Sequence, residues 1–224
     1  MTFSLLGRCA TTGAFGMVVS SSSTAVAARC AYARAGVGAV ASQNITDPRL
    51  GPQGLDLLAA GLSAPEALDR LVAAAPHAEY RQLAVLDREG RSAVHSGART
   101  LGVHAAERGG GCVAAGNLLA DAGVPAAMVA AFEGSVGEPL GNRLLAALRA
   151  GLSAGGEAGP VHSAGLLMVK SAPWPVADLR VDWAHDPIGD LEDLWGRWAP
   201  EMDAYVTRAL DPATAPAYGV PGDP

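Results

Sequence analysis

The sequence predicts an α+β protein in which two apolar sheets lie between helical layers, and three observations predict it. Short apolar runs come in pairs around turn residues: TFSLLGR with AFGMVVSS, and RQLAVLD with RSAVHSG. Stretches of helical spacing separate them, giving the order strands, two helices, strands, two helices, strands, helix. The strands are apolar on successive residues, so both faces of each sheet need cover, and two sheets between helices provide it.

The elements follow in chain order. Thr11-Thr12-Gly13 separates the first two runs and supplies a turn glycine, so they read as a hairpin. A tight turn at Thr12-Gly13 makes antiparallel partners sum to about 25 and places Thr2 near Ser23. AGVGAVASQN is a third strand, with Gly36 and Gly38 where another backbone could come close. GPQGLDLLAAGL and SAPEALDRLVAAA follow as helices. The second has Ser63 as N-cap, Pro65 in the first turn and Glu66 three residues after the cap, the pattern of a capping box. Arg88-Glu89-Gly90 turns the second hairpin. RGGGCVAAGN is a strand after a glycine loop. VPAAMVAAFEG and EPLGNRLLAALRAGL are helices, the latter with Leu140, Leu144, Leu145 and Leu148 on one face. GGEAGP is a loop, and VHSAGLLMVKS and VADLRVDWA are strands. One helix then runs through DPIGDLEDLWGRWAPEMDAYVTRAL, with Leu191, Leu194, Trp195 and Trp198 as its apolar stripe. Residues 1–210 read as a single domain and 211–224 as a mobile Pro/Ala-rich tail.

Composition narrows the function classes. The 224 residues are 50% hydrophobic and 17% charged, with a net charge of -6, which argues for a sizeable core and against disorder. Basic residues are scattered, so neither a nucleic-acid groove nor a polybasic membrane patch is expected. Cys9, Cys30 and Cys112 are odd in number and irregular in spacing, which speaks against a disulfide framework or a zinc site and for a reducing compartment. No signal-peptide pattern and no uncharged apolar run of about 20 residues occurs, so the expectation is a soluble cytoplasmic protein. His77, His95, His104, His162 and His185 lack metal-ligand spacing; no metal and no cofactor is expected. The glycine-rich stretch lacks both the G-x-G-x-x-G and the P-loop patterns. Trp195 and Trp198 suit a core or a subunit contact better than a ligand platform.

The chain begins Met-Thr. A small second residue generally permits removal of the initiator Met, which leaves Thr2 with a hydroxyl and a free α-amine, a nucleophile with its own base. The hydroxyl run Ser20 to Thr24 ends the opposite strand of the same hairpin. Serines also end strands because they suit turns, so this run alone fits either role.

The segments TFSLLGR, TTGAFGMVVSSSSTAVA, ARAGVGAVASQN, GPQGLDLLAAGLSAPEALDRL, RQLAVLDREGRSAVHSG, AAGNLL, SAGLLMVK and DLRVDW stand in an order that resembles the uncharacterised bacterial domain of unknown function 1028 family, from Thr2 to about Leu194. That family is similar in fold to N-terminal nucleophile (Ntn) hydrolases, the superfamily of proteasome β-subunits and penicillin acylases. The resemblance implies a four-layer αββα sandwich and an amide-hydrolysing site at Thr2. AAGNLL resembles the turn that reaches the nucleophile's amine, which makes Asn117 a candidate to orient the amine or donate to the oxyanion; a helix N-cap is an equal use for it. VHSAG resembles the strand start that supplies a neighbouring hydroxyl, so Ser163 is a candidate beside its plain role as a strand serine. Ser42 and Gln43 end the third strand where an oxyanion donor is expected. Ser21 lies in the hydroxyl run.

The chain departs from the pattern of the family it resembles in two places. Ser22 stands where a Lys or Arg commonly follows the serine matched by Ser21, and GEAGPV replaces a basic, Gln-containing stretch before SAGLL. Lys170, the only lysine, lies late, and Arg29 or Arg34 could supply charge but no base at neutral pH. The expected function is an amidohydrolase that uses Thr2 on a small amide or peptide-like metabolite. Loops 97–110 and 153–162 are expected to form its pocket walls, and the apolar composition and the Trp-bearing helix lead to the expectation of a homo-oligomer. The alternative is a non-catalytic binding or assembly subunit on the same fold; a third reading makes Ser21 or Cys9 the nucleophile.

Overall fold

The computed structural model describes residues 2–222. β1 (Thr2–Arg8) and β2 (Phe15–Ser21) form the expected hairpin and sit at the centre of a six-stranded antiparallel sheet. On one side β1 pairs with β8 (Cys112–Asn117), itself paired with β7 (Ala105–Gly109). On the other, β2 pairs with β9 (Ser163–Val169), which pairs with β10 (Ala177–Val181). The second sheet joins β3 (Ala31–Arg34), β4 (Gly38–Asn44), β5 (Arg81–Asp87) and β6 (Ser92–Ser96) in chain order.

Side-chain alternation assigns the layers. Phe3 and Leu5 on β1, with Val18, Ala114 and Leu166 on its neighbours, pack under α4 (Val124–Gly134) and α5 (Leu140–Ser153). Leu6, Phe15, Met17, Val19 and Val113 face the other way and meet Ala39, Ala41, Ala84 and Leu86 of the second sheet. Val40, Leu83 and Val85 on that sheet's outer face are covered by α2 (Leu50–Ala59) and α3 (Ala64–Ala74). The result is the four-layer αββα sandwich expected of an Ntn-hydrolase-like fold. Gly7 and Gly16 let the helices settle close: an added Cβ would stand 2.5 Å from the Phe132 ring and 2.4 Å from a Leu144 methyl, respectively. A Cβ on Gly38 would lie 2.3 Å from the Leu86 carbonyl oxygen, whereas Gly36 has open space and a φ of +69°, so only Gly38 marks a close backbone approach.

Several local expectations need correction. The first turn is a longer loop, closed by Cys9 N–H to Ala14 O at 2.9 Å, and partners sum to 23 (Phe3 opposite Ser20) instead of 25. The glycine stretch 109–111 turns a β7–β8 hairpin whose first strand is too polar to read as one. β3 and the single helical turn α1 (Ala27–Cys30) were masked by an Ala-rich segment without periodicity. The last helix is two, α6 (Pro187–Trp198) and α7 (Met202–Leu210), because Pro200 has no N–H to continue the ladder. Of its expected stripe, Leu191 and Trp195 are buried and Leu194 is exposed. In the C-terminal segment Arg208 donates to the carbonyls of Pro216 and Ala217 and lies 3.9 Å from the Tyr218 ring centre.

The capping box is present as expected: Ser63 Oγ accepts from Glu66 N–H while Glu66 accepts from Ser63 N–H. A second clamp holds the same helix. Asp87, buried at the end of β5, accepts from Ala64 N–H at 2.9 Å and from the N–H groups of Glu89 and Arg91. Asp87→Ala removes the acceptor for all three and should cost about 2–3 kcal/mol, lowering the melting temperature by roughly 5–10 °C; Asp87→Asn should cost less.

Candidate functional site

The register brings one row of polar side chains to one end of the six-stranded sheet. Thr2 is paired with Asn117 on β8, and Ser21 on β2 with Ser163 on β9. Phe3 faces Ser20, so one step further Thr2 and Ser21 come opposite each other. The two-residue correction to the hairpin register thus exchanges Ser23 for Ser21 as the neighbour of Thr2. Thr2, Ser4, Ser21 and Asn117 share the parity of the residues that meet the second sheet, so this end of the inter-sheet layer is polar where the rest is apolar. Thr2 is 4% exposed and Asn117 fully buried.

Buried amides must be hydrogen-bonded, and here they form a chain across the two sheets. Gln43 on β4 donates to Ala115 O at 3.2 Å and to Gln82 Oε1 at 2.8 Å, and accepts from Ser4 Oγ at 2.7 Å. Gln82 on β5 donates to Gly116 O and Ser96 Oγ, both at 3.0 Å. Backbone carbonyls only accept, so they fix which end of each amide is NH2. Gln82 Oε1 is then the acceptor for Asn117 Nδ2 at 3.0 Å. Asn117 therefore presents its Oδ1 as an acceptor, and that buried atom has no hydrogen-bond partner among the described residues. Of the uses expected for Asn117, the geometry suits holding an amine and not donating to an oxyanion, and it is not a helix N-cap, since Gly123 stands before α4. At the strand end expected to hold an oxyanion donor, the Gln43 side chain is committed to this chain of amides and Ser42 Oγ points to the Asp47 carbonyl at 3.0 Å, so neither side chain is available as that donor.

Ser163 lies in the row, but its hydroxyl donates to Ser23 O at 2.6 Å and accepts from Val26 N–H at 3.2 Å, which anchors the loop after β2. Ser21 Oγ stands 2.7 Å from Ser23 Oγ, which accepts from Arg29 at 2.5 Å. Arg29 is thus the arginine near the row; Arg34 pairs with Asp56. Lys170 follows the far end of β9 and pairs with Asp203. Cys9 lies beyond the other end of β1, about 20 Å along the strand from Thr2.

One acidic residue went unrecognised in the sequence. Glu157, in the loop expected as a pocket wall, is 4% exposed. Its backbone bridges to Leu119, just past Asn117, and its carboxylate accepts from Ser22 N–H at 3.0 and 3.1 Å, just past Ser21. Since β8 and β2 are the two neighbours of β1, Glu157 lies across the end of β1 at Thr2. Burial pushes its carboxyl above the usual range, while hydrogen bonds from Ser22 and Ser21 and the positive amino end pull it down less strongly. No Lys, Arg or His side chain among the described residues pairs with it. A single Glu in a Gly-rich loop carries no sequence signal. The backbone is also strained here: Leu118 and Asn44, the residues at the ends of β8 and β4, have φ of 51° and 70°.

A carboxyl whose folded pKa is raised binds more protons folded than unfolded, so its ionisation weakens the fold as pH rises, and the penalty vanishes below the ordinary carboxylate range. Glu157→Gln should therefore melt higher than wild type at pH 8, by about 1 kcal/mol or roughly 2–4 °C, with the difference gone near pH 4, as followed by thermal melts across pH.

The model of the family of unknown function DUF1028 matches residues 2–191. The crystal structure of protein SPO2555 from Silicibacter pomeroyi, assigned to the same family model, superposes with a TM-score of 0.82 at 30% identity, over 88% of this chain and 85% of that one. Anbu, an ancestral β-subunit from Yersinia bercovieri, gives a TM-score of 0.43 at 8% identity, over 90% of this chain and 96% of its own. No curated protein matches. Matched over most of its length and carrying the same fold as a solved relative, the chain belongs to DUF1028, a family of unknown function.

Proposed function

We propose that the protein is an amidohydrolase that uses Thr2, freed of Met1, as its nucleophile on a small amide or peptide-like metabolite. The observation that carries this reading is the pairing of Thr2 with Asn117, whose buried Oδ1 offers an acceptor without a partner among the described residues. Met1 itself lies outside the described residues. In the processed chain Asn117 Oδ1 accepts an N–H of the Thr2 α-amine and turns its lone pair toward the residue's own hydroxyl. The amine takes the hydroxyl proton as the oxygen attacks the amide carbon, then gives it to the departing nitrogen. Water, activated by the same amine, cleaves the resulting ester. An α-amine titrates near pH 8, so it needs orientation more than a large shift.

A second reading, a non-catalytic binding or assembly subunit, is favoured by the commitment of the Ser163 hydroxyl to the backbone and by the distance of Lys170. Homo-oligomer formation belongs to both readings.

Intact mass should show Met1 absent; quantitative retention in a host with normal Met removal counts against the Thr2 reading. Thr2→Ala should fold and lose at least about 1000-fold of any amide hydrolysis. Asn117→Leu, which cannot accept from the amine, should lose roughly 100-fold in kcat; if Thr2→Ala leaves hydrolysis intact, Thr2 is not the nucleophile.

A further inference from the structure

β10 ends one side of the six-stranded sheet, and no described strand pairs with its outer edge. Such an edge offers a row of N–H and C=O groups to another chain. The order of its residues, Ala177-Asp178-Leu179-Arg180-Val181, is complementary to itself when read in the opposite direction. Asp178 and Arg180 stand on the face toward the second sheet, opposite Leu167 and Gly165, where they are exposed and paired with each other at 2.8 and 2.6 Å. Leu179 and Val181 point the other way, opposite Leu166 and Ala164, and are only half-buried against the core. The helix on that face carries a matching feature. α6 lies over β9 and β10 and sends Ile188, Leu191 and Trp195 into the core. Its Glu192 turns toward α5, where Arg149 holds it. Leu194 follows two positions later, about 200° round the helix, so it faces away from α5 and out past β10. It is 38% exposed.

We propose that β10 is a dimer interface, pairing antiparallel with β10 of a second copy of this chain about a two-fold axis at Leu179. A two-fold of this kind continues the sheet without turning a face over, so residues of the same parity come opposite each other. Asp178 of each protomer then meets Arg180 of the other, the two Leu179 side chains meet at the axis, and Ala177 meets Val181. The two sheets become one of twelve strands. On the helical face the two copies of α6 come about 10 Å apart, a distance at which helices pack, and this covers Leu179, Val181 and Leu194. The opposite edge of the sheet does not allow the same contact. In β7, Glu107 and Arg108 are neighbours on opposite faces, and a two-fold centred on either sets like charges against each other. The inference gives the expected homo-oligomer its surface and does not depend on chemistry at Thr2.

Sedimentation of the full chain tests this, with thermal melts to report whether each variant folds. Wild type should sediment as a dimer. Asp178→Arg leaves two arginines on the edge and Arg180→Asp leaves two aspartates, so each variant alone should raise the dimer dissociation constant at least about tenfold. Mixed together, the two variants are complementary at both positions and should form a heterodimer with an affinity close to that of wild type. Leu194→Asp, an exposed change on the helix, should weaken the dimer with the fold unchanged. A monomeric wild type overturns the inference. A dimer indifferent to the charge reversals and to Leu194→Asp overturns it as well, because the contact then lies elsewhere. So does a mixture of the two reversals that stays monomeric although both variants fold. Thr2→Ala should leave the dimer intact, so the result is read apart from any loss of hydrolysis.

Discussion

Where the two sheets face each other, their contact is apolar along most of its length and amide-lined at one end, and that end is what everything else depends on. Gln43 and Gln82 reach from the second sheet to the backbone carbonyls of Ala115 and Gly116 on the first. These bonds are between buried groups, so breaking one leaves a donor or acceptor with nothing in exchange. They set the separation of the sheets at that point, the orientation of each amide and, through Gln82, the way Asn117 faces. The β1 terminus is then fixed from three directions: β2, β8 and the opposing sheet.

The surroundings show the cost of such an arrangement. An orphan carbonyl oxygen on Asn117, an acid in a low-dielectric place and two non-glycine residues with left-handed backbone all gather within the same end of the sandwich. Each alone destabilises, and the apolar core beneath, from Phe3 and Leu5 under Phe132 and Leu144, supplies the surplus that tolerates them. Local rules broken together at one end of the sheets are what a binding or catalytic centre asks of a scaffold.

Much of this was legible in the residues because it follows from periodicity. The αββα layering, both hairpins around Gly13 and Gly90, and the Ser63–Glu66 cap rest on local patterns that the long-range packing agrees with. The hairpin register was displaced by two because loop length is not encoded in the turn glycine alone: Cys9 to Ala14 closes a wider loop than Thr12-Gly13 suggests. β3 and β7 escaped because a short edge strand needs no apolar alternation when one neighbour and solvent satisfy it. At the site, Asn117 was expected beside Thr2 only through the family resemblance of AAGNLL, and strand arithmetic on the first hairpin reached the hydroxyl run but chose Ser23 in place of Ser21. Glu157 could not be placed, since only the fold of a loop some 155 residues later brings it over the first strand. The amides Gln43 and Gln82 were likewise readable as strand residues but not as partners, because their meeting depends on the distance between two sheets.

The burial of the first strand right up to Thr2 has a practical corollary. Purification handles are commonly fused ahead of the first residue, and on the Thr2 reading proposed above any such leader would both block liberation of the threonine amine and have to thread out past Ser22 and the overlying acid. The opposite terminus, where residues 216–218 lie exposed along the final helix, offers a harmless anchor. On that reading, material tagged in front would look inert even if the processed chain is active.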